Sequence, residues 1–573
     1  MAPAVPLIPL VPPLPPVRPG RDPGPERAEV NPSGHCIGVD FGTESGRVLL
    51  IDARTGEELA VSVVAYPSAV IDRELPGTGE SLPSDWALQD PADWITVLET
   101  GVPDVLGQAN VGADAVAGIG IDVTSCTVLP VIADGTPLCT LDRFRGRRHA
   151  WPKLWKHHAA QPVADRLTEV AAQRGESFLE RYGGRISSEW YFPKLIELWL
   201  EDRECYDAAT GFIEATDWLV WHLTGHERRQ SCTAGYKAMW SAAEGLPSPE
   251  YFQAAYPGFD DPSAKLGDRF EPLGTRAGTL RSEVAERLGL SDRVAVAVGN
   301  VDSFVSVPGA GVERPGVFVT VIGTSTCDMV VGHDEVRLPG ITGVVQDGIL
   351  PGLFGYEAGQ AAVGDMLAWF VNVLGSGGDG YAELERGAAQ LAPGEHGLVA
   401  LDWFNGNRST LADADLSGMI FGLTLRSTPP QIYRALLESI AFGNRRIMDN
   451  FVEHGIALTE IVACGGIAER SPLTMQLIAD TSGRAVSVPA SGEIPARGSA
   501  LFGAVAAGVF DDIGAAIAAT RPSTARRYAP DPAAAAIYDQ VYAIYRRLYD
   551  TLGDSQADLM HGLKRIRTER GAG

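Results

Sequence analysis

The sequence predicts an α/β protein of two related halves, each with a mixed sheet flanked by helices, and with a cleft between them. A glycine–hydroxyl turn set between two apolar runs occurs twice, in residues 37–51 (IGVDFGTESGRVLLI) and 317–331 (VFVTVIGTSTCDMVV). Around these turns, short apolar runs alternate with longer segments of helical periodicity. This alternation is typical of sheets covered by helices, and the repeated turn indicates duplicated halves.

The composition excludes several classes of protein. The chain has 573 residues, 45% of them hydrophobic, and a formal net charge of −25. Such acidity argues against nucleic acid or an anionic membrane as the main partner, because both select basic surfaces. The seven cysteines are scattered and include no C-x-x-C pair, which indicates a reducing, cytoplasmic compartment. No apolar run approaches the roughly 18 residues that a bilayer span needs.

Three segments are expected along the chain. Residues 1–33 are dominated by proline and are predicted to be a disordered extension, since proline-dense chain stays extended and unpacked. Residues 34–310 and 311–573 are expected to form the two domains, because a glycine- and proline-containing turn at 309–316 precedes the second glycine–hydroxyl hairpin.

The first half begins with a predicted β-meander, since its apolar runs are separated by short polar turns. The strands expected in this half are 36–40, 48–51, 59–65, 117–122, 126–131 and 294–298. A helix is predicted to open within 86–93, with Pro91 as an early helical residue. The stretch 151–224 is mostly helical in periodicity and is interpreted as a lid or cap near the substrate end.

The second half contains the clearest helical pattern, over residues 428–455. Thr428 can cap this helix, and Gly455 can take the left-handed conformation at its end. A strand at 460–464 follows. The segment 497–508 is rich in glycine and alanine, which suits either close helix packing or close approach of a ligand.

Both glycine–hydroxyl turns are predicted to bind phosphate. A tight hairpin turn exposes backbone N–H groups and hydroxyls, which together form a concave nest that attracts anions. The residues concerned are Gly42, Thr43, Glu44 and Ser45 in the first turn, and Gly323, Thr324 and Ser325 in the second. Two such turns on duplicated halves predict a nucleotide clamped between the two domains.

Three aspartates follow apolar strands. Asp40 lies two residues before Gly42 and suits a hydrated Mg²⁺ beside a phosphate, or a simple turn cap. Asp302 suits a general base that takes a proton from a hydroxyl, or an N-cap for the next helix. Asp122 either lines a sugar or phosphate site or caps a turn.

Other polar positions give weaker signals. Lys237 and Glu357 lie in glycine-flanked loops, where a solvated surface position is the default interpretation. Gly465 and Gly466 follow a strand and would let a flat base or a phosphate approach the backbone. No histidine spacing typical of zinc ligands occurs, and no Walker phosphate loop.

Taken together, these motifs resemble the FGGY carbohydrate kinases of the actin/hexokinase/Hsp70-like ATPase superfamily. The resemblance covers nearly everything after Gly34. It rests on the two phosphate turns, on the stretch 299–302 around Asp302, and on the glycine pair after strand 460–464. Longer stretches resemble the family members that phosphorylate L-ribulose: 121–130 (IDVTSCTVLP), 153–161 (KLWKHHAAQ), 186–194 (ISSEWYFPK), 231–240 (SCTAGYKAMW) and 355–360 (GYEAGQ).

The resemblance implies two ribonuclease H-like domains, the first with sugar-binding insertions and the second binding the nucleotide. It also implies ATP-dependent phosphorylation of a ketopentose, L-ribulose to L-ribulose 5-phosphate. In this reading Asp302 deprotonates the terminal hydroxyl, Asp40 holds Mg²⁺ through water, and both turns cradle the phosphates of ATP. Gly465 and Gly466 would lie against the adenosine. The sugar would be bound by Ser125, Lys237, Asp302 and Glu357.

Two alternatives stay open. A kinase for another ketose or polyol, such as D-ribulose, xylulose or ribitol, would share every phosphate motif. An actin- or Hsp70-like ATPase acting as a binding module would share the fold, although the insertion at 151–240 suits a small-ligand pocket. A small sugar is therefore the expected partner, with a second copy of the chain as a further candidate and neither nucleic acid nor membrane.

Overall fold

The computed structural model describes residues 34–570 except residues 260, 262, 376, 378 and 379. The predicted extension, residues 1–33, lies outside the described residues. None of the described helices is both long and apolar enough to cross a lipid bilayer. All seven cysteines are free thiols.

The first half alternates strands and helices around one large sheet. Its strands are β1 (His35–Phe41), β2 (Ser45–Asp52), β3 (Glu58–Ala65), β4 (Val116–Val123), β5 (Val128–Val131), β6 (Gly211–Glu214), β7 (Arg276–Thr279), β8 (Ala295–Ala297) and β9 (Asn300–Val301). Its helices are α1 (Pro91–Ala109), α2 (Asp142–Arg145), α3 (Gln161–Arg174), α4 (Tyr191–Glu201), α5 (Arg203–Ala208), α6 (Ala215–Thr224), α7 (Ser231–Lys237), α8 (Pro249–Ala255), α9 (Ser282–Leu288) and α10 (Asp302–Gly309).

The second half repeats this plan. Its strands are β10 (Val317–Ile322), β11 (Thr326–Gly332), β12 (Gly343–Gln346), β13 (Phe354–Ala358), β14 (Val399–Leu401), β15 (Met419–Phe421), β16 (Glu460–Cys464), β17 (Val486–Pro489) and β18 (Thr524–Tyr528). Its helices are α11 (Gly364–Val373), α12 (Gly380–Ala389), α13 (Pro429–Glu453), α14 (Gly466–Arg470), α15 (Pro472–Ser482), α16 (Ile494–Ala506), α17 (Ile513–Thr520), α18 (Pro532–Asp550) and α19 (Ala557–Glu569).

Each half contains a mixed sheet of seven strands, and the two sheets share a central pattern. The first has the order β3-β2-β1-β4-β8-β7, with β9 also on β4, and the second has the order β12-β13-β11-β10-β16-β17-β18. In each, the first strand of the glycine–hydroxyl hairpin pairs antiparallel with its partner and parallel with a crossover strand, β4 or β16. The predicted α/β fold with two related mixed sheets is therefore confirmed.

Local sequence signals explain most element ends. Thr428 and Gln431 form a reciprocal capping box at the start of α13, and Gly455 beyond its end has a φ of 86°. The helix predicted to open within 86–93 begins only at Pro91, because Asp90 accepts the N–H of Ala92 and caps it there. The predicted cap region 151–224 also contains a strand, β6, which pairs with β5.

Helix α16 joins the two halves. It belongs to the second half in sequence, yet it packs across β1 and β4 of the first sheet and against α10. A Cβ added at Gly38 would lie 1.7 Å from the carbonyl oxygen of Ala496, and one at Gly120 would lie 1.9 Å from that of Ser499. Only glycine allows this approach, so the glycine- and alanine-rich segment serves close helix packing.

Candidate active site

Three carboxylates meet at one edge of the first sheet. Asp40 near the end of β1 is directly opposite Asp122 near the end of β4, because the two strands are parallel and in register. Asp302 is the first residue of α10 and follows β9, which pairs with the end of β4. Adjacent strands thus bring together three aspartates that are far apart in sequence.

The pKa values of the first two aspartates reflect this crowding. Burial raises the pKa of Asp40, and the guanidinium of Arg47, 3.5 Å from its Oδ2, opposes that rise. Asp122 is wholly buried, and burial together with the charge of Asp40 raises its pKa well above the usual range. Ser499 of α16 donates its hydroxyl to Asp122 Oδ2 at 2.6 Å, which links this carboxyl to the second half of the chain.

Of the three aspartates, Asp302 alone is partly exposed to solvent. Burial, and then the charge of Asp40, raise its pKa to about 7, while the N–H of Ser303 donates to Oδ1 at 2.6 Å and opposes the rise. A carboxyl that titrates near neutral pH and reaches solvent can exchange a proton with a bound hydroxyl. This arrangement suits a general base.

Each glycine–hydroxyl turn is closed by a backbone hydrogen bond from its glycine, which spans three residues in the first turn and two in the second. The N–H of Gly42 donates to the carbonyl of Ser45 at 3.0 Å, and that of Gly323 to the carbonyl of Ser325 at 2.9 Å. Gln89 Nε2 donates to the carbonyl of Thr43 at 2.9 Å.

Carbonyl oxygens of the turns are also engaged by other donors. Tyr66 donates its hydroxyl to the Gly42 carbonyl at 3.0 Å, and the amide of Val363 donates to the Thr324 carbonyl at 2.9 Å. The turns are thereby held rigidly, and acceptors that would repel a phosphate are occupied by protein donors.

Lys237 and Glu357 form an ion pair between the two halves of the chain. Lys237 Nζ lies 2.9 Å from Glu357 Oε2, and each residue is only 2% exposed. Burial alone would lower the pKa of Lys237, but the charge and hydrogen bond of Glu357, together with the charge of Glu189, more than offset it and raise that pKa. The default interpretation of both side chains as solvated surface groups is therefore wrong. Arg408 Nη2 lies 2.6 Å from the other oxygen of Glu357.

Ser125 lies in the loop that follows β4. Its hydroxyl is buried and has no hydrogen-bond partner within the part of the chain that the structure describes. Burial raises the pKa of the neighbouring Cys126 thiol, and the charge of Lys237 partly opposes that rise. Ser125 thus carries a buried hydroxyl that is available to a ligand.

The first glycine of the pair after β16 is required by packing. Gly465 has a φ of 90°, and a Cβ there would lie 2.7 Å from the carbonyl oxygen of Ile322 in β10. Gly466 begins the short helix α14. The pair therefore lies against the strand that leads into the second glycine–hydroxyl turn.

Two protein-family models match most of the chain. They are the N-terminal domain of the FGGY family of carbohydrate kinases, over residues 35–309, and its C-terminal domain, over residues 318–507. The chain belongs to the FGGY family of carbohydrate kinases. It is therefore an ATP-dependent sugar kinase with an actin/hexokinase-like fold.

Curated relatives are similar to this FGGY kinase over nearly its whole length. A ribulokinase from Anoxybacillus flavithermus is 48% identical over 545 residues, which cover 92% of this chain and 96% of the relative. A ribulokinase from Mycolicibacterium smegmatis is 42% identical over 549 residues, covering 93% and 96%. Among solved structures, the xylulose kinase from Rhodospirillum rubrum has a TM-score of 0.74 at 25% identity, covering 90% of this chain and 99% of that one.

The structure also brings to the FGGY cleft residues that sequence reasoning missed. Arg47 lies between Asp40, at 3.5 Å, and Glu493 of the second half, at 3.4 Å. Arg47 is directly opposite Asp40 in the antiparallel ladder of β1 and β2, so the register of the predicted hairpin could have identified it. Arg408 lies in an irregular segment between β14 and β15, and no local signal pointed to it.

Proposed function

We propose that this FGGY kinase transfers the γ-phosphoryl group of ATP to the terminal hydroxyl of L-ribulose, giving L-ribulose 5-phosphate. The choice of sugar is supported by relatives named ribulokinase at 45% to 48% identity over nearly the whole chain. The chemistry is supported above all by one observation: Asp302, with a pKa of about 7, lies at an edge shared with Asp40 and Asp122.

Asp302 is the proposed general base. Its carboxylate takes the proton of the terminal hydroxyl as that oxygen bonds to the transferred phosphorus. A base is most effective when its pKa lies near the working pH, which holds for Asp302. Its partial exposure lets the carboxylate meet a hydroxyl in the cleft.

Asp40 is the proposed contact for Mg²⁺, through water. When bound, the ion would neutralise charge on the phosphates of ATP. The residues fit such an ion, since carboxylate oxygen is its preferred protein ligand and Asp40 is close to a second carboxyl, Asp122. Among the described residues, no three His, Cys, Asp or Glu side chains are grouped as a metal site of their own. Water and phosphate would therefore supply most of the ligands.

The nucleotide is proposed to bind between the two turns. The first contributes Gly42, Thr43, Glu44 and Ser45, and the second Gly323, Thr324 and Ser325, with Gly465 and Gly466 beside the adenosine. The domain limits 34–310 and 311–573 fit the two sheets. A cytoplasmic location and a homodimer remain part of this proposal.

The sugar is proposed to lie among Ser125, Lys237, Glu357 and Asp302. Lys237 offers a charged donor to several oxygens of a ketose, and the buried hydroxyl of Ser125 lacks a partner among the described residues. Because Lys237 and Glu357 come from opposite halves, a sugar bound at this pair would contact both domains at once.

A sugar panel tests the assignment. Purified full-length protein is assayed for ADP release with ATP and, in turn, L-ribulose, D-ribulose, xylulose, ribitol and no sugar. We expect turnover to be highest with L-ribulose and near background without sugar. Strong turnover of another sugar without L-ribulose activity would overturn the substrate assignment. ATP hydrolysis indifferent to every sugar would favour the ATPase binding module instead.

A further inference from the structure

Arg408 is a second cation on the proposed sugar-binding carboxylate. Its Nη2 lies 2.6 Å from Glu357 Oε1, while Lys237 Nζ lies 2.9 Å from Oε2. Both oxygens of Glu357 are therefore engaged by cations, one from each half of the chain. An ionised carboxylate held in this way has a fixed orientation.

The guanidinium of Arg408 has further donors. Arginine carries five N–H groups in a planar fork, so one edge can pair with a carboxylate while another faces a ligand. Within residues 34–570 as described, Glu357 is the one hydrogen-bond partner recorded for Arg408, and 28% of its side chain is exposed. The remaining N–H groups therefore have no side-chain or backbone acceptor within the described part of the chain.

A carboxylate of the first half is close to this pair. Glu189 lies in the loop before α4, and no ion pair of its side chain is found among the described residues. Burial lowers the pKa of Arg408, but the charges of Glu357 and Glu189 more than offset it. Burial and Glu357 have the largest effects on the pKa of Lys237, and the charge of Glu189 makes a smaller contribution that raises it. The negative charge of Glu189 therefore acts on both cations that hold Glu357.

We propose that Arg408 lines the sugar pocket, holding Glu357 in place and donating its remaining N–H groups to a hydroxyl or carbonyl oxygen of the ketose. The free N–H groups of Arg408 beside the carboxylate of Glu357 suit a neutral polyhydroxy compound better than an anion, because the carboxylate would repel a second negative charge. This inference rests on the proposed function, because it takes Glu357 as a sugar contact.

The test compares Arg408→Met and Arg408→Lys with the wild type, using L-ribulose and ATP as the varied substrates. Losing a hydrogen bond from a charged group weakens binding about 10- to 100-fold, so Arg408→Met should raise the sugar KM by about that factor. Arg408→Lys keeps the charge without the fork and should show a smaller rise. The KM for ATP should change less than about twofold, because the proposed contact is made with the sugar alone.

A matched control and a direct binding measurement exclude a merely structural effect. Arg445 is 21% exposed and pairs with Asp539 at 2.7 Å, away from the ion pair of Lys237, so Arg445→Met should leave the sugar KM unchanged. Titrating L-ribulose into nucleotide-free protein while following tryptophan fluorescence should give a Kd that rises in parallel with the KM. If Arg408→Met does not fold, Arg408→Gln, which keeps a donor for Glu357, replaces it.

Unchanged sugar KM and Kd in a folded Arg408 variant would overturn the inference, as would equal changes in the KM values for sugar and ATP. Its failure is distinguishable from that of the proposed function. If the wild type ignores L-ribulose, the proposed substrate is wrong, and the same comparison is then made with the sugar that the wild type does phosphorylate.

Discussion

Replacing Asp302 by asparagine is expected to stabilise the free protein at neutral pH while removing nearly all of its activity. Folding raises the pKa of this carboxyl from 3.8 to about 7. Because the folded-state pKa is the higher one, folding takes up a proton between these values. The cost of the ionised carboxylate is therefore absent below about pH 4 and complete above about pH 7.

The size of this cost follows from the shift. Each pH unit corresponds to about 1.4 kcal/mol, so the shift of about three units gives an upper limit of about 4 kcal/mol at pH 8 and about 2 kcal/mol at pH 5. Asparagine keeps the shape without the charge. The variant should therefore exceed the wild type in free energy of unfolding, and by more at pH 8 than at pH 5.

Urea unfolding of full-length protein, in EDTA and without nucleotide, measures this difference at both pH values. Asp72→Asn, at an exposed aspartate, is the control and should shift neither curve. The reasoning would be contradicted if Asp302→Asn gained the same free energy of unfolding at pH 5 and pH 8, or if it were less stable than the wild type at pH 8. In the ADP assay the rate should fall about 10²- to 10⁴-fold, and a rate close to that of the wild type would exclude Asp302 as the base.

Three further outcomes are expected. For the wild type, kcat/KM for the sugar should rise about tenfold per pH unit below pH 7 and level off above it, because the proposed base must be ionised; a flat profile would contradict this. Lys237→Ala should raise the sugar KM, whereas an unchanged KM would exclude Lys237 from the pocket. The same change should lower the free energy of unfolding by about 1–3 kcal/mol, because Arg408 still pairs with the other oxygen of Glu357. Gly120→Ala should destabilise by about 1–3 kcal/mol or more, since its Cβ would lie 1.9 Å from the Ser499 carbonyl. Gly107→Ala, on an open face of α1, should not destabilise, and equal melting temperatures for the two would refute the packing argument.

The sequence predicted those features that are local in the chain. The two hairpins, the strand-end position of Asp40 and the cap of α13 each depend on a few consecutive residues, whose φ preferences and apolar spacing act directly. The opening of α1 also lies within the predicted range 86–93, at Pro91, because the capping Asp90 is a local signal.

Features that depend on distant partners could not be predicted in this way. Lys237 and Glu357 are 120 residues apart, and nothing near either residue shows that the other will bury and neutralise it. Their default assignment to the surface failed for that reason. The contact of Ser499 with Asp122 spans 377 residues and exists only because α16 docks on the first sheet. Here the resemblance to a family supplied candidate residues, such as Lys237 and Glu357, that local patterns did not.

The docking of α16 also determines how this molecule can be divided. A polypeptide that stopped at residue 310 would leave the glycine-lined face of β1 and β4 open to water. One that started at residue 311 would contain α16 without the sheet on which it packs. The two halves of the sequence therefore do not correspond to two independently folding domains. Fragments made from a gene cut at that point would have to be produced together, because one hydrophobic cluster combines residues of both halves and would form only on association.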